Sequence, residues 1–173
     1  LSKKNLHKEE AGTFLDRIAE EVHNSSQALD DIVWSINTKN DTLAQTVARM
    51  RRYAAEVFDA ANITYTLQLD EQFEKYKLNM EQRRDCFLIF KEAINNIQKH
   101  AMATEVNINI EGKGNELFMQ VSDNGIGFQT GEPTHRNGLK IIRERMQKWG
   151  GVCLFDSSPG KGALLKITLP VEG

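Results

Sequence analysis

Cysteine is scarce in this 173-residue chain. Its two cysteines, Cys86 and Cys153, stand far apart without metal-ligand spacing. That leaves no cysteine-built metal site and reads as core thiols in a reducing compartment. Neither sign of charge dominates, since 22 basic side chains stand against 24 acidic ones, a formal net charge of -2. Without a basic field, nucleic acid is not expected as a partner. No apolar run is long enough to span a bilayer and no signal peptide is visible, so the chain is expected to be cytoplasmic and to make no direct membrane contact. It begins at Leu1 rather than Met, and reads as a piece of a longer protein whose remainder has room for an inner-membrane anchor. There is no internal repeat, no low-complexity tract and no GxxxxGK[ST] phosphate loop. Glycine is almost missing from the first half: ten of the twelve fall between Gly112 and Gly162. The second half therefore needs unusual backbone geometry, or brings its backbone close to something.

What is present fits one soluble domain with an appendage, at 40% apolar and 27% charged residues. After a polar start, Phe14, Ile18, Val22, Ser25, Leu29, Ile32 and Ile36 step by four and three. They make a narrow helical stripe suited to a partner helix, the alternative being that it packs on the chain's own globular part. INTKND (36–41) is a break, and Asp41 is the expected N-cap of a helix over about 42–60. ITYTLQL (63–69) alternates as a strand, and a helix follows over about 80–101. VNINI (106–110) and LFMQV (117–121) form a hairpin through GKGN. A long irregular stretch leads to a helix over about 138–149, then to strands 152–156 and 163–169 joined by SSPGKG. Adjacent hairpins rather than repeated strand–helix–strand units predict an α/β two-layer sandwich, a mixed or antiparallel sheet with helices on one face, preceded by an N-terminal helical segment.

Two asparagines inside the third helix, Asn95 and Asn96, need a reason, because asparagine is a middling-to-poor helix former. At about 100° per residue, Phe87, Phe90, Ile94 and Ile97 share one side of that helix. Glu92, Asn96 and Lys99 share roughly the opposite side, with His100 beside them. Later come SDNGIGF (122–128), directly after a strand, then NGLK (137–140) and SPGKGA (158–163). The first lacks the third glycine and the strand–helix setting of a dinucleotide fingerprint. Each motif alone is weak, and their order is specific.

In that order they resemble the ATP-binding catalytic domain of bacterial sensor histidine kinases, within the superfamily shared with gyrase, MutL and the heat-shock chaperone ATPases. The resemblance covers about residues 59–173. Glu92-Ala-x-x-Asn96-x-x-Lys99-His100 is similar to the N box, Asp123-Asn-Gly-Ile-Gly-Phe128 to the first glycine box, and Asn137-Gly138-Leu139 and Pro159-Gly160-Lys161-Gly162 to the later glycine elements. DDIVWSINTKND (30–41) is similar to the segment that follows the dimerisation helices in a subgroup of these kinases. The resemblance implies a Bergerat-type sandwich. It assigns residues 1–40 to the end of a helical dimerisation segment with its linker, and 41–173 to the ATP-binding domain.

It further implies ATP and Mg²⁺ as cofactors. Asp123 would accept the adenine amine, while Gly125 and Gly127 let the backbone pass under the base. Asn96 would be the magnesium ligand and Glu92 the general base. Lys99, His100 and Lys140 would face the phosphates, with Arg143 nearby, and Gly138, Leu139, Gly162 and Ala163 would complete the nucleotide site. Residues 128–137 would form a lid. Asn95 matches no role in the pattern. Arg136 stands where the family commonly has glycine and Ala163 where it commonly has threonine, which suggests modest ATP affinity. The implied partners are the chain's own dimerisation domain, a second protomer in a homodimer, and a response-regulator receiver domain. None of His7, His23, His100 and His135 sits in the family's acceptor motif, so the phosphorylated histidine is expected upstream of Leu1 and no autophosphorylation is expected from this piece alone. The alternatives are a nucleotide-binding sensor or scaffold that transfers nothing, and a serine kinase of the same superfamily.

Overall fold

The computed structural model describes residues 42–70, 76–129 and 137–171, together with part of the stretch 12–33. The chain divides into two compact units, Leu1–Asn37 and Thr38–Gly173. In the first unit the described residues are helical, and the stripe residues Phe14, Ile18, Val22 and Leu29 are exposed. Asp41, His7, His23, His135 and most of the expected lid fall outside the described residues.

The second unit opens with α1, Leu43–Ala61. Its N-cap is Thr42, whose hydroxyl accepts the N–H of Gln45 at 3.3 Å. The expected capping role of Asp41 is thus taken one residue later, by a side chain that reaches an otherwise orphaned amide. Leu43, Val47, Met50, Ala54 and Phe58 recur by three and four and are all buried. Asn62 ends the helix in the left-handed region (φ 54°), donating its N–H to Asp59 and Phe58. Strand β1, Thr64–Leu69, follows.

Helix α2, Met80–Asn96, starts with a reciprocal capping box between Asn79 and Gln82. At Ile97 the α register gives way to a π turn, Ile97–Ala101, ending at Met102 in the left-handed region. Strands β2 (Glu105–Lys113) and β3 (Glu116–Asp123) form the predicted hairpin. Helix α3, Asn137–Lys148, precedes β4 (Val152–Ser157) and β5 (Ala163–Pro170).

The five strands run in the order β1-β2-β3-β5-β4. The β1–β2 pair is parallel and the other three are antiparallel, so the sheet is mixed. Alternation decides its faces. Val106, Ile108, Ile110, Leu117, Met119, Val121, Leu165, Ile167 and Leu169 are buried, while Asn107, Glu111 and Lys166 on the opposite face are exposed. The helices lie over the buried face, contributing Phe58, Ile89, Phe90, Ile94, Ile142 and Met146. Each such side chain contributes about 1.5–3 kcal/mol on burial.

One polar hub lies inside the helical layer. Asp85, near the start of α2, accepts from the Arg145 guanidinium, from the Trp149 indole N–H at 2.9 Å and from the Lys148 ammonium at 3.4 Å. Lys148 also pairs with Glu81 at 2.8 Å. These contacts fix the end of α3 to the start of α2. At the other end Gly138, in the first turn of α3, packs on Glu92.

Candidate functional site

The C-terminal half of α2, the π turn, the first turns of α3 and one end of the sheet enclose a cleft of about 610 Å³, its open mouth included. Asn96, Ile97, His100 and Ala101 line one side, and Leu139 and Ile142 come from α3. Asp123, Gly127 and Ala163 line the sheet side, above Val121, Phe155 and Leu165. The cleft is therefore an apolar slot with few polar groups: a carboxylate, an amide and an imidazole.

Asp123 ends β3 opposite Ala163 of β5 and is half-buried. Its carboxylate accepts the Gly125 N–H at 2.8 Å. Burial pushes this carboxyl above the usual carboxylate range, against the opposing pull of the Gly125 and Ala163 N–H groups. An ionised carboxylate offers acceptors only, so this point of the cleft selects a donor on whatever enters.

On the helical side, the Asn96 Nδ2 donates to Glu92 Oε1 at 3.2 Å. This bond turns the amide so that its oxygen is left for other partners. Among the described residues no three His, Cys, Asp or Glu side chains converge to hold a metal ion. The donor set fits Mg²⁺, which keeps most of its shell as water and phosphate oxygen and needs few protein ligands, such as one amide oxygen. Glu92 is half-buried beneath Gly138, where a Cβ would stand 1.8 Å from Oε1. A side chain at 138 would require the Glu92 carboxylate to move from its present position.

The expected polar stripe of α2 is altered by the π turn. In an α-helix Lys99 would stand about 60° from Asn96. A π turn, bonded i to i+5, rotates less per residue and carries Lys99 farther round. Lys99 is accordingly exposed and does not line the cleft, whereas His100, also exposed, does. Lys140 points outward too, 77% exposed and paired with Glu144 at 3.7 Å. Arg143, exposed and absent from the cleft lining, lies over the Phe155 ring, 5.7 Å from its centroid. Expected at the phosphates, Lys99, Lys140 and Arg143 are thus not gathered here. Gly125 and Gly162 support the site from behind: a Cβ on Gly125 would meet the Ala101 carbonyl at 2.1 Å, and one on Gly162 the Asp123 carbonyl at 1.9 Å.

Sequence reasoning missed three groups. Phe155, Ile142 and Leu165 form the apolar floor, and their only sequence signal is membership of a periodic buried face. Ser157 is buried, donating to the Gly162 carbonyl at 2.8 Å and accepting the Phe128 N–H at 2.9 Å, so it ties together two glycine-bearing loops. Asn95, without a role in the motif, accepts the Tyr53 hydroxyl at 2.6 Å and joins α1 to α2.

A two-layer sandwich with a slot at one end of a mixed sheet, an acceptor-only carboxylate on one side and an amide–carboxylate pair on the other, defines an ATP-binding domain class. Residues 81–173 match the family of histidine kinase-, DNA gyrase B- and HSP90-like ATPases, and the chain belongs to that family. It is similar to the nitrate/nitrite sensor protein NarQ of Escherichia coli, 33% identical over 105 residues, which are 60% of this chain and 17% of that protein. Against the sensor histidine kinase LiaS of Bacillus subtilis it is 33% identical over 86 residues, 49% of this chain and 24% of LiaS. The chain thus matches under a third of the length of these relatives. Its fold is that of the Acinetobacter baumannii histidine kinase AdeS (TM-score 0.68, 14% identity, 93% of this chain and 85% of the other). It is also that of the histidine kinase domain of the Erythrobacter litoralis EL346 blue-light activated kinase (TM-score 0.60, 20% identity, 73% and 61%). No helix among the described residues is long and apolar enough to cross a membrane.

Proposed function

We propose that this chain is the catalytic domain of a two-component sensor histidine kinase. It would bind Mg·ATP in the cleft and transfer the γ-phosphate to a histidine on a helical dimerisation domain, for relay to a response-regulator aspartate. The observation that carries this reading is that Asp123 and Asn96, 27 positions apart in sequence, line one cleft.

Asp123 accepts the exocyclic amine of adenine. Guanine would set an oxygen against that carboxylate, and two facing acceptors left unpaired discriminate strongly. The apolar floor around Ile97, Ile142 and Phe155 takes the faces of the base. Asn96 offers its amide oxygen to the metal, and Glu92 holds that amide in place through its 3.2 Å bond. Bound Mg²⁺ supplies neutralisation of phosphate charge. His100 lies at the phosphate side as a donor. Lys99 and Lys140, both exposed, would turn inward on their flexible stems when an anionic ligand enters. Glu92 orients the incoming imidazole and takes its proton, and because phosphoryl transfer rests mainly on positioning, orientation is the larger part of that role.

The test supplies a dimerisation segment with an intact histidine and follows phosphohistidine formation. Wild type is expected to transfer, and Glu92→Gln to lose about 10²–10⁴-fold in rate while still binding Mg·ATP. Binding without transfer in wild type would favour the sensor or scaffold reading.

A further inference from the structure

The two sides of the cleft are carried by different segments of the chain. Asn96 and His100 belong to the end of α2 and its π turn, Asp123 to the end of β3. One side chain outside the cleft lining spans the joint. Asn124 Oδ1 accepts two backbone N–H groups, from Thr104 at 2.9 Å and from Glu105 at 3.0 Å. Its Nδ2 donates to the Thr104 hydroxyl at 2.9 Å, and its own N–H donates to the Glu105 carbonyl at 3.2 Å. Two residues on, the Ile126 N–H donates to the Ala101 carbonyl at 2.8 Å, with Gly125 pressed flat on that same carbonyl. The segment 124–126 is thus laced to both ends of the short connection 101–105 that follows the π turn.

Resting on the reading of the cleft given above, we propose that Asn124 is a positioning residue. It touches no substrate, and its acceptor oxygen staples the carboxylate end of the cleft to the turn carrying Asn96 and His100, setting the span between base and phosphate sites. The chemistry needed is one oxygen facing two converging N–H groups. Aspartate supplies it as well, since the Thr104 hydroxyl can reverse and donate. Alanine does not.

The test measures Mg·ATP affinity by calorimetry, and transfer kinetics with a supplied acceptor histidine, for wild type, N124A and N124D. N124A is expected to raise the dissociation constant and apparent KM roughly tenfold, as a misplaced binding group does. Its kcat at saturation should stay within about twofold, because Glu92 and Gly138 are untouched. N124D is expected to stay within about threefold of wild type. The control Thr42→Ala removes a helix cap elsewhere, so it lowers the melting temperature without changing affinity. Should N124A fail to fold, N124S serves, its shorter hydroxyl reaching only one of the two amides, with an intermediate affinity expected. Wild-type affinity in N124A or N124S, or an N124D as weak as N124A, would overturn the staple. Failure of wild type itself to bind Mg·ATP would instead overturn the reading of the cleft.

Discussion

Asp123 sits at its post at some cost to the fold. Its carboxyl is held above the ordinary value by burial, so the folded protein binds this proton more tightly than the unfolded chain. The sign follows from linkage. Stability from this group is highest below the unfolded value near 4, falls as pH rises through the window up to the folded value, and stays reduced above it. Asp123→Asn removes the penalty while keeping an acceptor for the Gly125 N–H. The variant is therefore expected to melt at a higher temperature than wild type at pH 7, the gap closing as the pH is lowered towards 4, in thermal melts across that range. A gap that widened on acidification would contradict the assignment. At this scale the sequence was informative where a residue's role is written in a short motif. Glu92, Asn96 and Asp123 belong to such motifs, and all three meet at the cleft or its wall. Lys99, expected beside Asn96 on an α register, lies off the cleft lining because the five residues from Ile97 adopt a π turn. The double asparagine divides its labour: Asn96 faces the cleft, and Asn95 holds Tyr53 of α1.

Among the elements, α3 is the one whose placement frames the cleft, and its polar anchor is remote from it. Asp85 has 8% of its side chain exposed, and it faces Arg145, Lys148 and the Trp149 indole. Removing one partner of a buried ion pair leaves the other unpaired, at about 3–5 kcal/mol. Asp85→Ala removes the buried member and leaves cations that are 30% and 50% exposed, so the expected loss lies below that range, about 2 kcal/mol. Urea unfolding monitored by Trp149 fluorescence checks this, and a loss under 1 kcal/mol would mean that Ile142 and Met146 alone seat the helix. Nothing in the sequence marked this hub, because its partners stand 60 and more positions apart and each reads singly as surface charge. Strand and helix positions were legible to within a residue or two, since period-2 and period-3.6 burial dominate them, except that β2 runs three residues past the expected 106–110 and the last turn of the expected helix 80–101 is a π turn. The shift of the first cap to Thr42 follows from which oxygen reaches the Gln45 amide, a geometric detail that composition does not carry.

For the whole molecule, hairpin order and the uneven glycine were enough to anticipate a sandwich, and the mixed sheet carries its parallel pair at the β1 edge. Glycine gathers in the second half because that is where backbone meets backbone around the cleft, at Gly125 against Ala101 and Gly162 against Asp123. The apolar floor was hidden for the opposite reason: Phe155 and Leu165 obey the same alternation as the core, and only the folded shape opens a slot above them. The account stands on one ligand bridging the Asp123 side and the Asn96 side of that slot. Calorimetric titration of wild type and Asp123→Asn with Mg·ATP and Mg·GTP tests it most directly. The account predicts saturable heat for wild type with ATP, at least tenfold weaker binding of GTP, and loss of ATP binding in Asp123→Asn despite an intact fold. Equal affinity of the two nucleotides for wild type, or undiminished ATP binding by the variant, would contradict it.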